Sequence, residues 1–363
     1  MLYPYYWPHY KAGGPVQSLF NLVALFKDHC EFFLLSSDRD IDGSRPTTPF
    51  QENRWSQGPH GEKIYFASSL SFLLVRRLIN EVNPDVVFVN GMFNLSTTLP
   101  GLFWSRWMKV KFVVSPRGML QAWALQRNPA VKKVALFFLK MMLGKAETWH
   151  ATDDQEKKDI HHHFGPTQDV HVAANVPRAM TPFLPLPFRD GGKVRLVFLS
   201  LINRNKNLHL VMDAVNAARD VFMLDVFGPI ADAAYWEECK SRISDVISYK
   251  GGVPAWEVPD VLQRYHFFVL PTVGENFGHA IFDALSSGVP VLISRTTPWR
   301  DVEQQGAGYY LDSLDAAAMA NALNKIARLS PHDYGVCREK SRSYAANFWK
   351  RSTFAKDYQF LIG

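Results

Sequence analysis

The sequence predicts an α/β fold divided into two domains, each built on a parallel sheet, and three observations carry that reading. The first is length, since 363 residues exceed one ordinary core and suit two domains of roughly 100–200 residues. The second is rhythm: short apolar runs at residues 31–35, 85–89, 110–114, 194–199, 221–227, 267–270 and 289–293 alternate with helix-period stretches, as in successive βαβ units. The third is the character of the runs. Val194-Arg-Leu-Val-Phe-Leu and His266-Phe-Phe-Val-Leu are almost continuously apolar, which a strand needs when helices cover both faces of its sheet.

Taken in order, the first strand is short, because only Met1-Leu2-Tyr3 precedes Pro4. Residues 38–61, rich in Ser, Pro, Gly and charge, predict a mobile, loop-like excursion on the first domain. Periodicity fails between Pro177 and Lys193, where Pro177, Pro182, Pro185 and Pro187 lead into Asp190-Gly191-Gly192, and a linker is expected there. The resulting layout is an N-terminal domain over residues 1–180, a C-terminal domain over 193–340 and a last helical segment over 341–363. Phe348, Trp349, Phe354, Tyr358 and Leu361 predict that this segment packs back on the first domain.

Hydrophobic residues at 47% and charged residues at 20% exclude a disordered chain. A formal charge of +6 favours anionic partners, but the basic residues are scattered and no tract interleaves them with aromatics, which sets nucleic acid aside. Cys30, Cys239 and Cys337 stand in no metal or redox spacing and predict a reducing, cytoplasmic setting. No basic start followed by an apolar core opens the chain, so no signal peptide is expected. No apolar run reaches the roughly 18–20 residues of a spanning helix. Residues 131–143 come nearest, and they predict a core helix of the first domain, with a helix lying on a membrane surface as the alternative.

The chemistry concentrates in residues 271–291. A strand runs into Pro271-Thr-Val-Gly-Glu275-Asn276-Phe277-Gly278-His279, then an amphipathic helix, then Gly288-Val-Pro290 and another strand. Ligands of open α/β sheets bind beyond the carboxyl ends of strands and at the starts of helices. Backbone N–H groups of residues 276–279 and the helix dipole favour a phosphate, and Gly278 lets the backbone come close. Glu275 and Asp283 are eight residues apart, which on a helix is about 12 Å of rise. One carboxylate could accept from hexose hydroxyls and the other from ribose hydroxyls, with a diphosphate between. The plainer alternative is a capping glutamate and a solvated helix aspartate.

Glu275 to Asp283, with Phe277-Gly278 between them and Gly288-Val-Pro290-Val after, resembles the signature of glycosyltransferase family 4. Ser200-Leu-Ile-Asn-Arg204-Asn-Lys206-Asn207-Leu208 resembles that family's diphosphate-clamp loop, and Ala12-Gly13-Gly14-Pro15 its glycine loop after the first strand. Ser115-Pro-Arg117-Gly118-Met119-Leu120 is similar to the loop that faces the reaction centre, and Phe227-Gly228-Pro229 and Tyr249-Lys-Gly251-Gly252-Val253 complete an ordered match along nearly the whole chain.

The resemblance implies a GT-B type fold, two Rossmann-like domains facing across a cleft, with the donor held mainly by the second. It implies transfer of a hexosyl group from a nucleoside-diphosphate sugar, a co-substrate rather than a cofactor, with retention of configuration and without a metal. Gly13, Gly14, Arg204, Lys206, Gly228, Val253, Glu275, Asn276, Phe277, Gly278, His279 and Asp283 would bind the donor, and Glu275, Lys206 and Arg117 would be catalytic. The acceptor would be a glycan or a lipid-linked acceptor in bacterial surface polysaccharide synthesis, met in the cytoplasm with peripheral contact at the inner face of the membrane; the place of Trp123 beside Arg117-Gly118 makes it a candidate contact for that acceptor. Three positions depart from the pattern: Asp283 where Glu is usual, Leu201 in place of an arginine of the clamp, and Arg117 where many relatives carry His.

Two other polar clusters read as ordinary surface. His161-His162-His163 predicts a solvated helix end, since adjacent helical side chains point in different directions, and Asp38-Arg-Asp40 predicts a solvated loop. Two other functions fit the same architecture: a sugar-nucleotide 2-epimerase, and a non-catalytic protein that binds nucleotide sugars.

Overall fold

The computed structural model describes residues 1–362 except 47, 49, 126–128, 144–146 and 189–191, and the side chain of Trp123 also lies outside the described residues. The chain forms two compact units, one of Met1–Val176 with Thr353–Gly363 and one of Pro177–Ser352.

In the first unit the strands are β1 (Phe33–Ser37), β2 (Trp55–Gln57), β3 (Lys63–Ala67), β4 (Val86–Asn90), β5 (Lys111–Ser115), β6 (Thr148–Ala151) and β7 (Asp169–Val172). The helices are α1 (Gly14–Phe26), α2 (Phe72–Val82), α3 (Leu95–Met108), α4 (Ala122–Leu125), α5 (Pro129–Met142) and α6 (Asp154–Phe164). Two ladders, β1-β3-β2 and β4-β5-β6-β7, are parallel except for the β2–β3 pair. Leu2 bridges them, pairing with Leu35 on one side and Val89 on the other. The expected first strand is thus reduced to one residue of parallel bridge between two full strands. Pro4 has no N–H to continue it.

The polar stretch after β1 departs from expectation. Asp38 and Asp40 are buried rather than solvated. Asp38 meets Arg45 at 3.3 Å, and Asp40 accepts the backbone N–H groups of Tyr10 at 3.0 Å and Lys11 at 3.1 Å. Partners distant in sequence supply the bonds that water was expected to supply.

The second unit has a single six-stranded parallel sheet in the order β10-β9-β8-β11-β12-β13, formed by β8 (Val194–Leu199), β9 (Phe222–Phe227), β10 (Ile247–Gly251), β11 (Phe267–Leu270), β12 (Val291–Ser294) and β13 (Gly308–Leu311). Its helices are α7 (Leu208–Ala217), α8 (Ala233–Lys240), α9 (Val258–Leu262), α10 (His279–Ser286), α11 (Ala316–Ala327) and α12 (Pro331–Arg351). The order reverses at β8, where β9 and β10 lie to one side and β11 to β13 to the other, so the loops after β8 and β11 flank a topological switch point.

The Pro-rich stretch that opens this unit is an extended strap. Its prolines forbid a helix, and its carbonyls are taken by guanidinium groups of α12: Arg338 donates to Leu184 at 2.8 Å and also to Gly288 at 2.9 Å, and Arg342 donates to Thr181 at 2.7 Å. Residues 189–191 of the expected linker lie outside the described residues. The chain ends in α13 (Phe354–Ile362), which belongs to the first unit. There Tyr358 donates to the Ala174 carbonyl at 3.2 Å and packs on Phe26 and His150, whereas Phe348 and Trp349 stay with the second unit.

Candidate active site

In the second unit the loops after β8 and β11 are zipped together. Val273 N–H donates to Asn205 O at 2.8 Å and Asn207 Nδ2 to Pro271 O at 2.8 Å. The clamp loop closes as a short 3-10 turn, Arg204–Lys206, capped by Asn203 and ended by Asn207 in the left-handed region at φ 48°. This geometry lays Lys206 across to the other loop, where its ammonium forms an ion pair with Glu275 and lies 3.4 Å from Thr272 Oγ1. Both partners keep an opening to solvent, with side chains 14% and 16% exposed.

Gly228, after β9, holds the neighbouring loop close. Its φ is 138°, and a Cβ there would lie 1.8 Å from Ser200 O. Tyr249 Oη donates to Gly228 O at 2.9 Å, and half-buried Val253 packs on the core of the unit. Asn276 and His279 are half-buried at the mouth of α10. That helix starts from Gly278, in the left-handed region at φ 78°, so no capping side chain covers the positive end of its dipole.

The helix placement of Glu275 and the plainer alternative of a solvated Asp283 are corrected here. Glu275 is not on the helix with Asp283, because Gly278 turns the chain and α10 begins only at His279. Asp283 is not solvated but 5% exposed; burial raises its pKa, opposed by the Arg178 guanidinium at 3.5 Å. Phe277 turns its ring into an aromatic cluster with Phe282, Trp299 and Phe348, and its carbonyl accepts from Trp299 Nε1 at 2.7 Å, so it shapes the loop from behind. Arg204 leans over the Tyr235 ring and pairs with Glu238 at 2.7 Å.

In the first unit Gly13, at φ 76°, precedes α1, which begins at Gly14 with Pro15 in its first turn and no side-chain cap. The Asp40 carboxylate fixes the two residues ahead of this loop, as described above, and Lys11 reaches Asp42 at 2.7 Å and Ser44 at 2.8 Å. Arg117, expected to be catalytic, is only 7% exposed and turned inward. Its Nε donates to Asn90 Oδ1 at 2.6 Å and its Nη1 to Asn175, and its residue sits in the left-handed region at φ 55°. Beside it, burial and then the Arg117 charge hold His150 well below the usual imidazole pKa.

Sequence reasoning missed Glu156, which is fully buried and binds Gly118 N–H together with Thr152 N–H and Oγ1, the last two at 2.7 Å. Its signal was present: Asp153 caps α6 and Glu156 stands three residues later, the spacing of a capping box. Arg178, Asn90 and Asn175 had no local signal. His161, His162 and His163 form the last turn of α6, and among the described residues no group of three His, Cys, Asp or Glu is placed to hold a metal.

Residues 193–328 match the family described as glycosyl transferases group 1, and residues 38–176 match the glycosyl transferase 4-like domain. In fold the chain is similar to HepE (Alr3699) of Anabaena, solved with UDP and glucose, at a TM-score of 0.73 and 14% identity over 97% of this chain and 95% of that one. It is similar to sucrose-phosphate synthase of Thermosynechococcus elongatus at a TM-score of 0.69 and 15% identity, covering 96% and 92%. Against WaaG, a glycosyltransferase involved in lipopolysaccharide biosynthesis, the TM-score is 0.66 and the identity 14%, covering 100% and 99%. No curated protein matches the chain in sequence.

Proposed function

The chain is a glycosyltransferase of the GT-B type with two Rossmann-like domains, and from that premise we propose that it transfers a hexosyl group from a nucleoside-diphosphate sugar to an acceptor hydroxyl, retaining configuration and using no metal. The observation that carries the donor site is the Lys206–Glu275 pair at the carboxyl edge of the sheet, beside the uncapped start of α10. A diphosphate offers Lys206 a stronger partner than one carboxylate, and the dipole of α10 adds to the attraction. Glu275, released from the pair, accepts hydroxyls of the sugar and faces the positive charge that develops at its anomeric carbon. The ribose falls to the Arg178–Asp283 pair, with water bridging the distance that the shorter Asp leaves.

In the transfer, the bond from anomeric carbon to diphosphate breaks with its electron pair leaving on the diphosphate. The acceptor oxygen bonds the carbon on the face the diphosphate leaves and passes its proton to the departing diphosphate oxygen. Lys206 and the helix start stabilise the leaving charge, the kind of preorganised electrostatics that carries much of enzymatic rate enhancement. Arg117 acts as a positioning residue, tying the loop after β5 to Asn90 and Asn175.

The acceptor is a glycan or lipid-linked glycan of a bacterial surface polysaccharide, reached in the cytoplasm by peripheral contact with the membrane. Among the described residues no helix is long and apolar enough to cross one. The test is diphosphate release from a panel of sugar nucleotides with and without lipid extract, with the product's anomeric coupling read by NMR. Release that requires acceptor and gives the donor's anomer supports the reading. Conversion of the sugar nucleotide without acceptor assigns a 2-epimerase instead, and an inverted anomer overturns retention.

A further inference from the structure

One layer of the first unit is unlike the rest of the surface. α5 anchors itself through Leu139, with Leu143 buried just beyond its end, yet it exposes Val131, Val134, Phe138 and Met141 at three- and four-residue steps, with Phe137 beside them. The expectation of a core helix therefore fails on its outer face. A second exposed apolar edge, which the sequence did not signal, runs along α2 and α3: Phe72, Leu73, Leu95, Phe103 and Trp107, the last 72% exposed. Phe72 and Phe103 lie 5.2 Å apart, and Phe103 stacks on Trp107 at 6.5 Å. These three helices expose more large apolar side chains than the rest of the described chain together.

The two patches share a side. α3 joins β4 to β5 and α5 lies on the connection from β5 to β6, all adjacent and parallel, and right-handed crossovers put both helices on one face of the sheet. Lys132 on α5 lies over the ring of Phe93, just ahead of α3, at 5.9 Å. The charge on this layer is one-sided: with Arg106 paired to the buried Glu147, Arg76, Arg77, Lys132, Lys133 and Lys140 stand against a single acid of the three helices, Glu81, which accepts from Trp55 at 2.8 Å. A two-fold contact with a second copy would set these cations against their own like. Apolar and aromatic side chains interspersed with Lys and Arg match the boundary between acyl chains and anionic headgroups.

We propose that α2, α3 and α5 together form a docking face for an anionic lipid bilayer, with α5 and the Phe103–Trp107 edge entering the headgroup boundary. The inference deepens the membrane contact of the proposed function and rests on it for its meaning. Its test uses neither donor nor acceptor, so failure to dock and failure to transfer are separate results.

The full chain is floated with vesicles of phosphatidylcholine alone and of phosphatidylcholine with phosphatidylglycerol in equal parts. Binding is expected only to the anionic vesicles and should weaken several-fold as salt is raised. Lys133→Ala and Lys140→Ala should each cost about fivefold in partition. Trp107→Glu and Phe137→Glu should each abolish binding with unchanged thermal midpoints, since both side chains are exposed. Equal binding to neutral vesicles, or anionic binding indifferent to Trp107→Glu and Phe137→Glu, would overturn the proposal. So would a concentration-dependent dimer that Phe137→Glu dissociates, because the face would then belong to a second copy.

Discussion

Gly228 accepts no side chain, because the methyl of an alanine would meet the Ser200 carbonyl 1.8 Å away on a backbone already at φ 138°. Gly228→Ala must push the clamp loop from β9, and we expect it to lower stability by about 1–3 kcal/mol, read as a lower urea midpoint. An unchanged midpoint would mean the loop gives way freely. His150 makes a prediction of opposite kind. Burial and the Arg117 charge keep its imidazole neutral in the fold, while the unfolded chain takes up a proton below about pH 6.5. The unfolded state then binds more protons, so stability contributed by neutral His150 is lost as pH falls below that value, by roughly 1.4 kcal/mol per pH unit. Melting of His150→Asn between pH 7 and pH 5 should show a flatter slope than the parent; equal slopes would remove His150 as the cause.

At the scale of elements, the strap ahead of β8 depends on α12. Arg338 serves carbonyls of both the strap and Gly288, a span that the single ammonium of lysine cannot reproduce. Arg338→Ala should cost about 2–3 kcal/mol, and Arg338→Lys should recover little of it. Limited proteolysis should cut residues 181–188 faster in both variants, and parental cleavage rates would show the strap holds by packing alone. Strands β1, β4, β5, β8, β9, β11 and β12 were legible in the sequence because each is an apolar run, with β8 and β11 matching residue for residue and β1 displaced by two, whereas β2, β3, β6, β7, β10 and β13 lay outside those runs, most being shorter or more polar. The placement of Glu275 was not, although the cause was visible: Gly274 and Gly278 bracket a loop that a periodicity count reads through. The buried pairing of Asp38 and Asp40 was hidden for another reason, since a polar stretch looks alike whether water or distant backbone satisfies it.

For the whole molecule, the order of the motifs along the chain conveyed the GT-B architecture, and side-chain direction was what they left out. Arg117, Arg204 and Phe277 stand where the resemblance puts them in sequence, yet one turns inward to Asn90, one outward to Glu238 and one into a hydrophobic cluster. Lys206 is left as the cation that meets Glu275 in the second unit, so the account of the donor site rests on it. The direct measurement is binding of UDP, GDP, ADP and CMP, by calorimetry and thermal shift, to the parent chain and to Lys206→Ala. One nucleoside diphosphate should bind and, at about a hundred times its Kd, add about 2.7 kcal/mol of stability, with Lys206→Ala weakening it by roughly tenfold or more. Absence of binding by every diphosphate, or equal binding by Lys206→Ala, would contradict the account.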